Sequence, residues 1–358
     1  MRLLLTADAV GGVWQYATDL ARALAPLGIE PVLAVLGPAP TEAQRATAAG
    51  LELIETGLPL DWLAETADEV RAAAQAVGTL AAERRVDLVQ LNAPALAVAD
   101  FAMPVVAVAH SCLATWWDAV IGGELPDDFR WRTELHAGGL RRADLVVAPS
   151  LAFAEATRKA YGLPRSPEVV HNGRTPLPLR RVPGQTSAFT AGRLWDKGKD
   201  VRTLDEAAAL LPFPLHAAGP LAGPNGERID LQHARALGSL PEAALARQLA
   251  ARPVFVSAAL YEPFGLAVLE AAQAGCPLVL SHIATFRELW EGAALFVPPG
   301  DPAAFAAAIV QAADDADALG AKAQERAARY STKGMAANML SLYRRALDRA
   351  PAEARAAA

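Results

Sequence analysis

Apolar positions fall along this chain in two alternating rhythms. Short, almost wholly apolar runs such as RLLLTA, PVLAVLG, DLVQL, PVVAVAH and DLVVAPS are separated by longer stretches with helical spacing, VWQYATDLARALAPLG being the first. An apolar run of this length, rich in Val and Leu and bounded by turn residues, reads as a strand buried on both faces. Its alternation with helices predicts a parallel sheet covered by helices. The rhythm breaks after Asn172, where RTPLPLRRVPGQTS holds three prolines, a glycine and three arginines. That composition suits neither a helix nor a central strand and reads as an interdomain linker. Beyond it the rhythm restarts with SAFTAGRL, FPLHAAGP, RPVFVSA, PLVLSH and AALFVPP. Two α/β units in tandem are therefore expected, over residues 1–172 and 173–330.

Helix punctuation is clearest at PPGDPAAFAAAIVQAA. There Asp301 is placed to cap and Pro302 takes the first helical position, where a missing N–H costs nothing. The last segment, residues 331–358, is amphipathic through Met335, Met339, Leu340, Leu342 and Tyr343 and needs a surface to cover. Periodicity does not say which unit supplies it; packing back on the first unit is the option kept, with AEARAAA as a frayed end.

Composition narrows the class. At 358 residues the chain is longer than most single cores support, in keeping with two domains. Hydrophobic residues make up 53% and charged residues 20%, which suits a globular protein and excludes a disordered one. The formal net charge of -6 leaves no global basic field for nucleic acid. The opening MRLLLTADAVGG reads as a first strand and not as a secretion signal, because its apolar run is too short. The most apolar region, residues 93–109, is cut by Asp100 and two prolines, so no membrane span is expected. Cys112 and Cys276 are far apart and read as reduced thiols. A cytoplasmic location follows as the expectation.

Chemistry concentrates in the second half. In LYEPFGLAVLEAAQAGCPLV, Gly265 permits close backbone approach, and residues 266–274 begin a helix whose first N–H groups lack internal partners. Such an end attracts anions. Glu262 lies before it in a loop, and Glu270 lies about 7.5 Å along the helix axis beyond Gly265. An extended ligand with a central diphosphate and hydroxyl-bearing sugars at both ends fits this arrangement; two unrelated glutamates beside a buried helix are the alternative. Arg193 and Lys197 in AGRLWDKGKD add two cations at the carboxyl edge of a predicted sheet, with Lys199 as the lower-ranked substitute for Lys197. A solvated basic turn is the plain reading of that spacing in isolation.

GRLWDKG, LYEPFGLAVLEAAQAGCPLV and FVPPGDP together resemble the donor-binding half of the retaining glycosyltransferases of family 4, which have the GT-B fold. The pattern of Glu, seven residues, Glu is that family's hallmark. The resemblance implies two Rossmann-like parallel-sheet domains facing across a cleft, the first on the acceptor side and the second binding a nucleoside-diphosphate sugar. It implies that Arg193 and Lys197 neutralise the donor diphosphate, that backbone N–H groups of Gly265, Leu266 and Ala267 bind the distal phosphate, that Glu270 holds the ribose and that Glu262 holds the transferred sugar. The base falls near residues 237–240.

In the first half, DAVGGVWQYATDLARAL joins a glycine pair to a helix start but lacks the spacing of a nicotinamide-binding fingerprint. A plain tight turn is the simpler reading; the resemblance gives a backbone N–H near Gly12 a diphosphate contact. His110, at the end of a strand, is by itself more often a hydrogen-bonded structural residue, and the resemblance gives it a contact with the donor sugar. Cys112 is read as packing. Trp116 and Trp117 offer faces for sugar stacking, border the acceptor side in the resembled fold and belong to the stretch that departs most from the family pattern. Asp315 and Asp317 form an Asp-x-Asp pair at a polar helix end, read as solvated, so no essential metal and no cofactor are expected.

The function implied is metal-independent transfer of a hexosyl group, with retention by a front-face route, from a nucleoside-diphosphate sugar to a hydroxyl of a sugar, small-molecule or lipid-linked acceptor. Domain closure would complete the site. Peripheral membrane contact is left open by the sequence. A sugar-nucleotide epimerase of similar fold and a non-catalytic sugar-nucleotide sensor are the alternatives; a product assay separates the first and turnover the second.

Overall fold

The computed structural model describes residues 1–179, 182, 184–224 and 226–349. Arg180, Arg181 and Pro183 of the proline-rich stretch, and the terminal AEARAAA, lie outside the described residues. The chain divides into two compact units, one formed by Met1–Gly173 with the chain from Thr332 onward, the other by Arg174–Ser331.

The first unit holds strands β1 (Arg2–Asp8), β2 (Glu30–Leu36), β3 (Glu52–Glu55), β4 (Leu88–Leu91), β5 (Val105–Val108), β6 (Leu145–Ala148) and β7 (Glu168–Val169). They form one parallel sheet in the order β3-β2-β1-β4-β5-β6-β7. The unbroken leucines of β1 follow from its central place. Leu3 and Leu5 face one layer with Tyr16, Leu20 and Leu24 of the Gly12–Leu24 helix, while Leu4 faces the other with Ala73, Ala74 and Val77 of the Ala67–Glu83 helix. All three leucines are fully buried, each contributing about 1.5–3 kcal/mol by removal from water. The first layer is completed by the Thr332–Arg349 helix, whose Met335, Ala336, Met339, Leu342, Tyr343 and Ala346 lie in the same core as Leu3 and Leu88.

The second unit holds β8 (Ala188–Ala191), β9 (Leu215–Ala218), β10 (Arg235–Gly238), β11 (Val254–Ser257), β12 (Leu278–Ser281) and β13 (Leu295–Val297). Their order, β10-β9-β8-β11-β12-β13, is again parallel throughout. Phe189, Phe255, Leu278 and Leu280 pack on one face with the Leu266–Gln273 and Ala284–Trp290 helices. Val254, Val256 and Val279 pack on the other with the Val201–Ala208 and Pro302–Asp314 helices. Asp301 caps the last of these, accepting from the Ala304 N–H at 2.9 Å. The proline-rich stretch is not free chain at its start: Arg174 is buried and Leu177 belongs to the second unit's core.

In each sheet the strand order reverses beside the first strand, between β1 and β4 and between β8 and β11. Open parallel sheets bind ligands outside the carboxyl ends of their strands at such points. The predicted site residues Gly12 and His110 follow β1 and β5, and Arg193 and Glu262 follow β8 and β11.

Candidate functional site

In the second unit the turn after β8 is built around Asp196. Its Oδ1 accepts from the Gly198 N–H and its Oδ2 from Arg193 Nη2, both at 2.9 Å. Arg193, whose side chain is 41% exposed, also lies over the Trp195 ring at 5.7 Å. A guanidinium has five N–H donors, so these contacts orient Arg193 and leave donors for an incoming anion. Lys197 is exposed and its ammonium makes no hydrogen bond or ion pair among the described residues.

The same turn is clipped to the loop after β11. The carbonyl of Gly198 accepts from the N–H groups of Leu260 and Tyr261 at 2.9 and 3.2 Å. Lys199 forms an ion pair with Glu262. Lys199, ranked below Lys197 from the sequence, is thus the partner of a carboxylate, and Lys197 is the exposed cation of the turn.

Gly265 stands at the start of the Leu266–Gln273 helix with φ +91°, a left-handed conformation that glycine adopts without strain. A Cβ there would meet Phe286 at 3.2 Å, Val268 at 3.3 Å and Glu262 at 3.4 Å, so bulk is excluded as well. The first intrahelical bond runs from the Leu269 N–H to the Gly265 carbonyl at 3.0 Å, which leaves the N–H groups of Leu266 and Ala267 in the orphan first turn. Further along, Glu270 is nearly buried and accepts from Arg174 Nε at 2.6 Å. Arg174 also lies 3.7 Å from Glu242, and its carbonyl accepts from Gln273 Nε2 at 2.9 Å. Buried Asp205 accepts from the N–H groups of Gln232, His233 and Ala234 at 2.8–3.0 Å, fixing the chain that enters β10 and residues 237–240.

In the first unit Asp8 Oδ1 accepts from the Val10 and Gly11 N–H groups, at 2.9 and 3.2 Å, shaping the turn that presents the exposed Gly12 at its helix start. Partly buried His110 packs edge-on against Tyr16, ring centroids 4.4 Å apart, with Nε2 3.0 Å from Asn92 Oδ1. Burial pushes the His110 imidazolium down to about 3, so the ring is neutral at physiological pH. Trp116 and Trp117 occupy the Leu113–Val120 helix, rings 6.4 Å apart, and Trp117 also packs on Phe129 at 5.8 Å. The Trp117 indole N–H is buried without a protein acceptor among the described residues. Asp315 and Asp317 lie at the junction of two helices, Pro302–Asp314 and Ala316–Ala327. No helix among the described residues is long and apolar enough to cross a membrane.

Within the second unit the predicted residues thus form two groups: Arg193, Lys197 and Glu262 are joined by backbone and ionic contacts, and Gly265 lies against Glu262, while Glu270 is tied to Arg174. Arg174, Asn92 and Gln90 were not predicted. Apart from the Gln90–Asn92 bond, their partners are distant in sequence, and nothing local in HNGRTP or VQLNAP signals them.

Known proteins share this organisation. The model for Glycosyltransferase Family 4 matches residues 10–176 and that for Glycosyl transferases group 1 matches residues 185–315. A glycogen synthase of Mycobacterium tuberculosis is 31% identical over 262 residues, 66% of this chain and 60% of that enzyme. The chain matches between 34% and 60% of the length of such curated relatives. The structure of sucrose-phosphate synthase from Thermosynechococcus elongatus superposes with a TM-score of 0.80 at 20% identity, covering 98% of this chain and 100% of that one. The Anabaena protein HepE, solved in complex with UDP-glucose, follows at 0.72 and 19% identity, covering 96% and 99%. The fold is GT-B, with two parallel-sheet domains. With its first unit matched by one glycosyltransferase model and its second by the other, the chain belongs to the glycosyltransferases of family 4 and group 1.

Proposed function

We propose that this protein transfers a hexosyl group from a nucleoside-diphosphate sugar to an acceptor hydroxyl, with retention at the anomeric carbon. The observation behind this reading is the clip between the Asp196–Lys199 turn and the Glu262 loop, which gathers Arg193, Lys197 and Lys199, a carboxylate and an orphan helix start at one sheet edge. As the sugar–phosphate bond breaks, charge builds on the diphosphate. Arg193 and the N–H groups of Leu266 and Ala267, already oriented before the reaction, stabilise it together with the exposed Lys197. Glu262 and Glu270 accept from hydroxyls of the transferred sugar and the ribose. Each carboxylate is held in place by a cation, Lys199 or Arg174. Retention is assigned to a front-face route in which the leaving phosphate takes the acceptor's proton. The UDP-glucose held by HepE, a protein of the same fold, supports this donor class. A sugar, small-molecule or lipid-linked hydroxyl is the acceptor, and the protein acts in the cytoplasm.

Calorimetric titration with UDP and UDP-glucose tests the reading. Arg193→Ala should weaken both about tenfold or more, the loss of charge-assisted hydrogen bonds of about 1.5–3 kcal/mol. Glu270→Ala should weaken both ligands alike, and Glu262→Ala only the sugar-bearing one. A protein that binds no nucleoside-diphosphate sugar, or an Arg193→Ala variant with unchanged affinity, would end the proposal.

A further inference from the structure

Around His110 the first unit has a chain of side-chain hydrogen bonds that no element of the proposed chemistry requires. Asn92 Nδ2 donates to the Thr6 carbonyl at 2.5 Å, and the Asn92 N–H donates to Thr6 Oγ1 at 2.8 Å. A backbone carbonyl only accepts, so the Asn92 amide has one orientation, with Oδ1 turned to its other neighbours. That oxygen accepts from Gln90 Nε2 at 2.9 Å and faces His110 Nε2 at 3.0 Å. Two lone pairs meet two donors, which requires the proton of the neutral imidazole to sit on Nε2. Gln90 is oriented in turn by the Tyr343 hydroxyl, which donates to Gln90 Oε1, while Gln90 Nε2 lies 3.4 Å from the Tyr16 hydroxyl. Gln90 and Tyr343 are fully buried, and Asn92 is nearly so. The remaining ring nitrogen, Nδ1, makes no hydrogen bond among the described residues and is not one of the buried unpaired atoms. It therefore presents a lone pair to a ligand.

We propose that Asn92, Gln90 and Tyr343 are positioning residues that lock His110 in its Nε2–H tautomer, so that Nδ1 accepts a hydrogen bond from a sugar hydroxyl. His110 then acts as an acceptor, and neither as an acid nor as a cation. This inference rests on the glycosyltransferase reading, in which the first unit meets a sugar. It also gives the C-terminal helix a functional part: Tyr343 comes from that helix and reaches His110 through two amides.

Nitrogen-resolved NMR of protein labelled at its six histidines tests it, with His110→Gln identifying the resonance. Wild type should show His110 with Nε2 protonated and Nδ1 bare, and saturating UDP-glucose should move the Nδ1 signal. Asn92→Leu and Tyr343→Phe should each shift the tautomer ratio about fivefold toward Nδ1–H, the equivalent of one hydrogen bond of about 1 kcal/mol. Nδ1–H in the wild type, an Nδ1 signal unmoved in protein that calorimetry shows to be saturated, or an unchanged ratio in both variants would overturn the inference. Absence of calorimetric binding would instead overturn the donor reading, while the wild-type tautomer would still be read without ligand.

Discussion

Glu262 and Glu270 lie beside an anion-attracting helix start without conflict because each has its own cation. The pairs differ in origin: Lys199 comes from the turn after β8, and Arg174 from the first residue of the second unit. The sequence signalled the carboxylates by their spacing but not their partners, since an ion pair between residues 96 positions apart leaves no periodic trace. His110 and His136 make the same point. His136 is buried and His110 partly so, both neutral, and neither neighbourhood is legible from one strand end or one helix. His136 stacks on Tyr161 with ring centroids 5.0 Å apart, and burial pushes it down to about 4. The folded-state value lies below the unfolded one of about 6.5, so the unfolded chain binds the extra proton. Stability is then full above pH 6.5 and is lost as pH falls toward 4. By pH 5 this one group should cost about 2 kcal/mol relative to pH 8. Urea unfolding at the two pH values should show His136→Phe losing less stability than wild type by about that amount; equal losses would refute the assignment.

Elements were the most legible scale. Strands buried on both faces have little choice but to be runs dominated by Val, Leu and Ala, and such runs mark β1, β5 and β12 in the sequence, whereas β4 includes the buried Gln90. Helix starts were legible where a side chain caps them, as at Asp301. The Thr332–Arg349 helix shows the limit. Its apolar stripe was clear, but a stripe states only that a surface is needed. The surface is the layer of the first unit that includes Leu3, Leu88 and the Gly12–Leu24 helix. Met339 is fully buried there. Met339→Ala should therefore destabilise the first unit by about 2–5 kcal/mol through lost contacts and the cavity left behind. A thermal melt that does not move would show that the helix contributes no core.

At the scale of the whole molecule, the first unit is discontinuous in sequence and the second is inserted within it. A chain ending at Ser331 keeps every residue of the second unit but lacks the helix that closes the first. Such a truncation should still bind UDP through its second unit, whereas scanning calorimetry should show that the first unit's cooperative transition is lost. A calorimetric trace like that of the full chain would contradict this. The sequence alone determined the fold class, the doubling of the α/β unit and the family, because buried strands, capped helices and the spacing of Glu262 and Glu270 around Gly265 are local patterns. Tertiary structure decided which unit the last helix completes, which cation holds each glutamate, and which nitrogen of His110 has the proton. Each of those depends on groups brought together from distant parts of the chain, where contact in space, and not spacing in sequence, sets the chemistry.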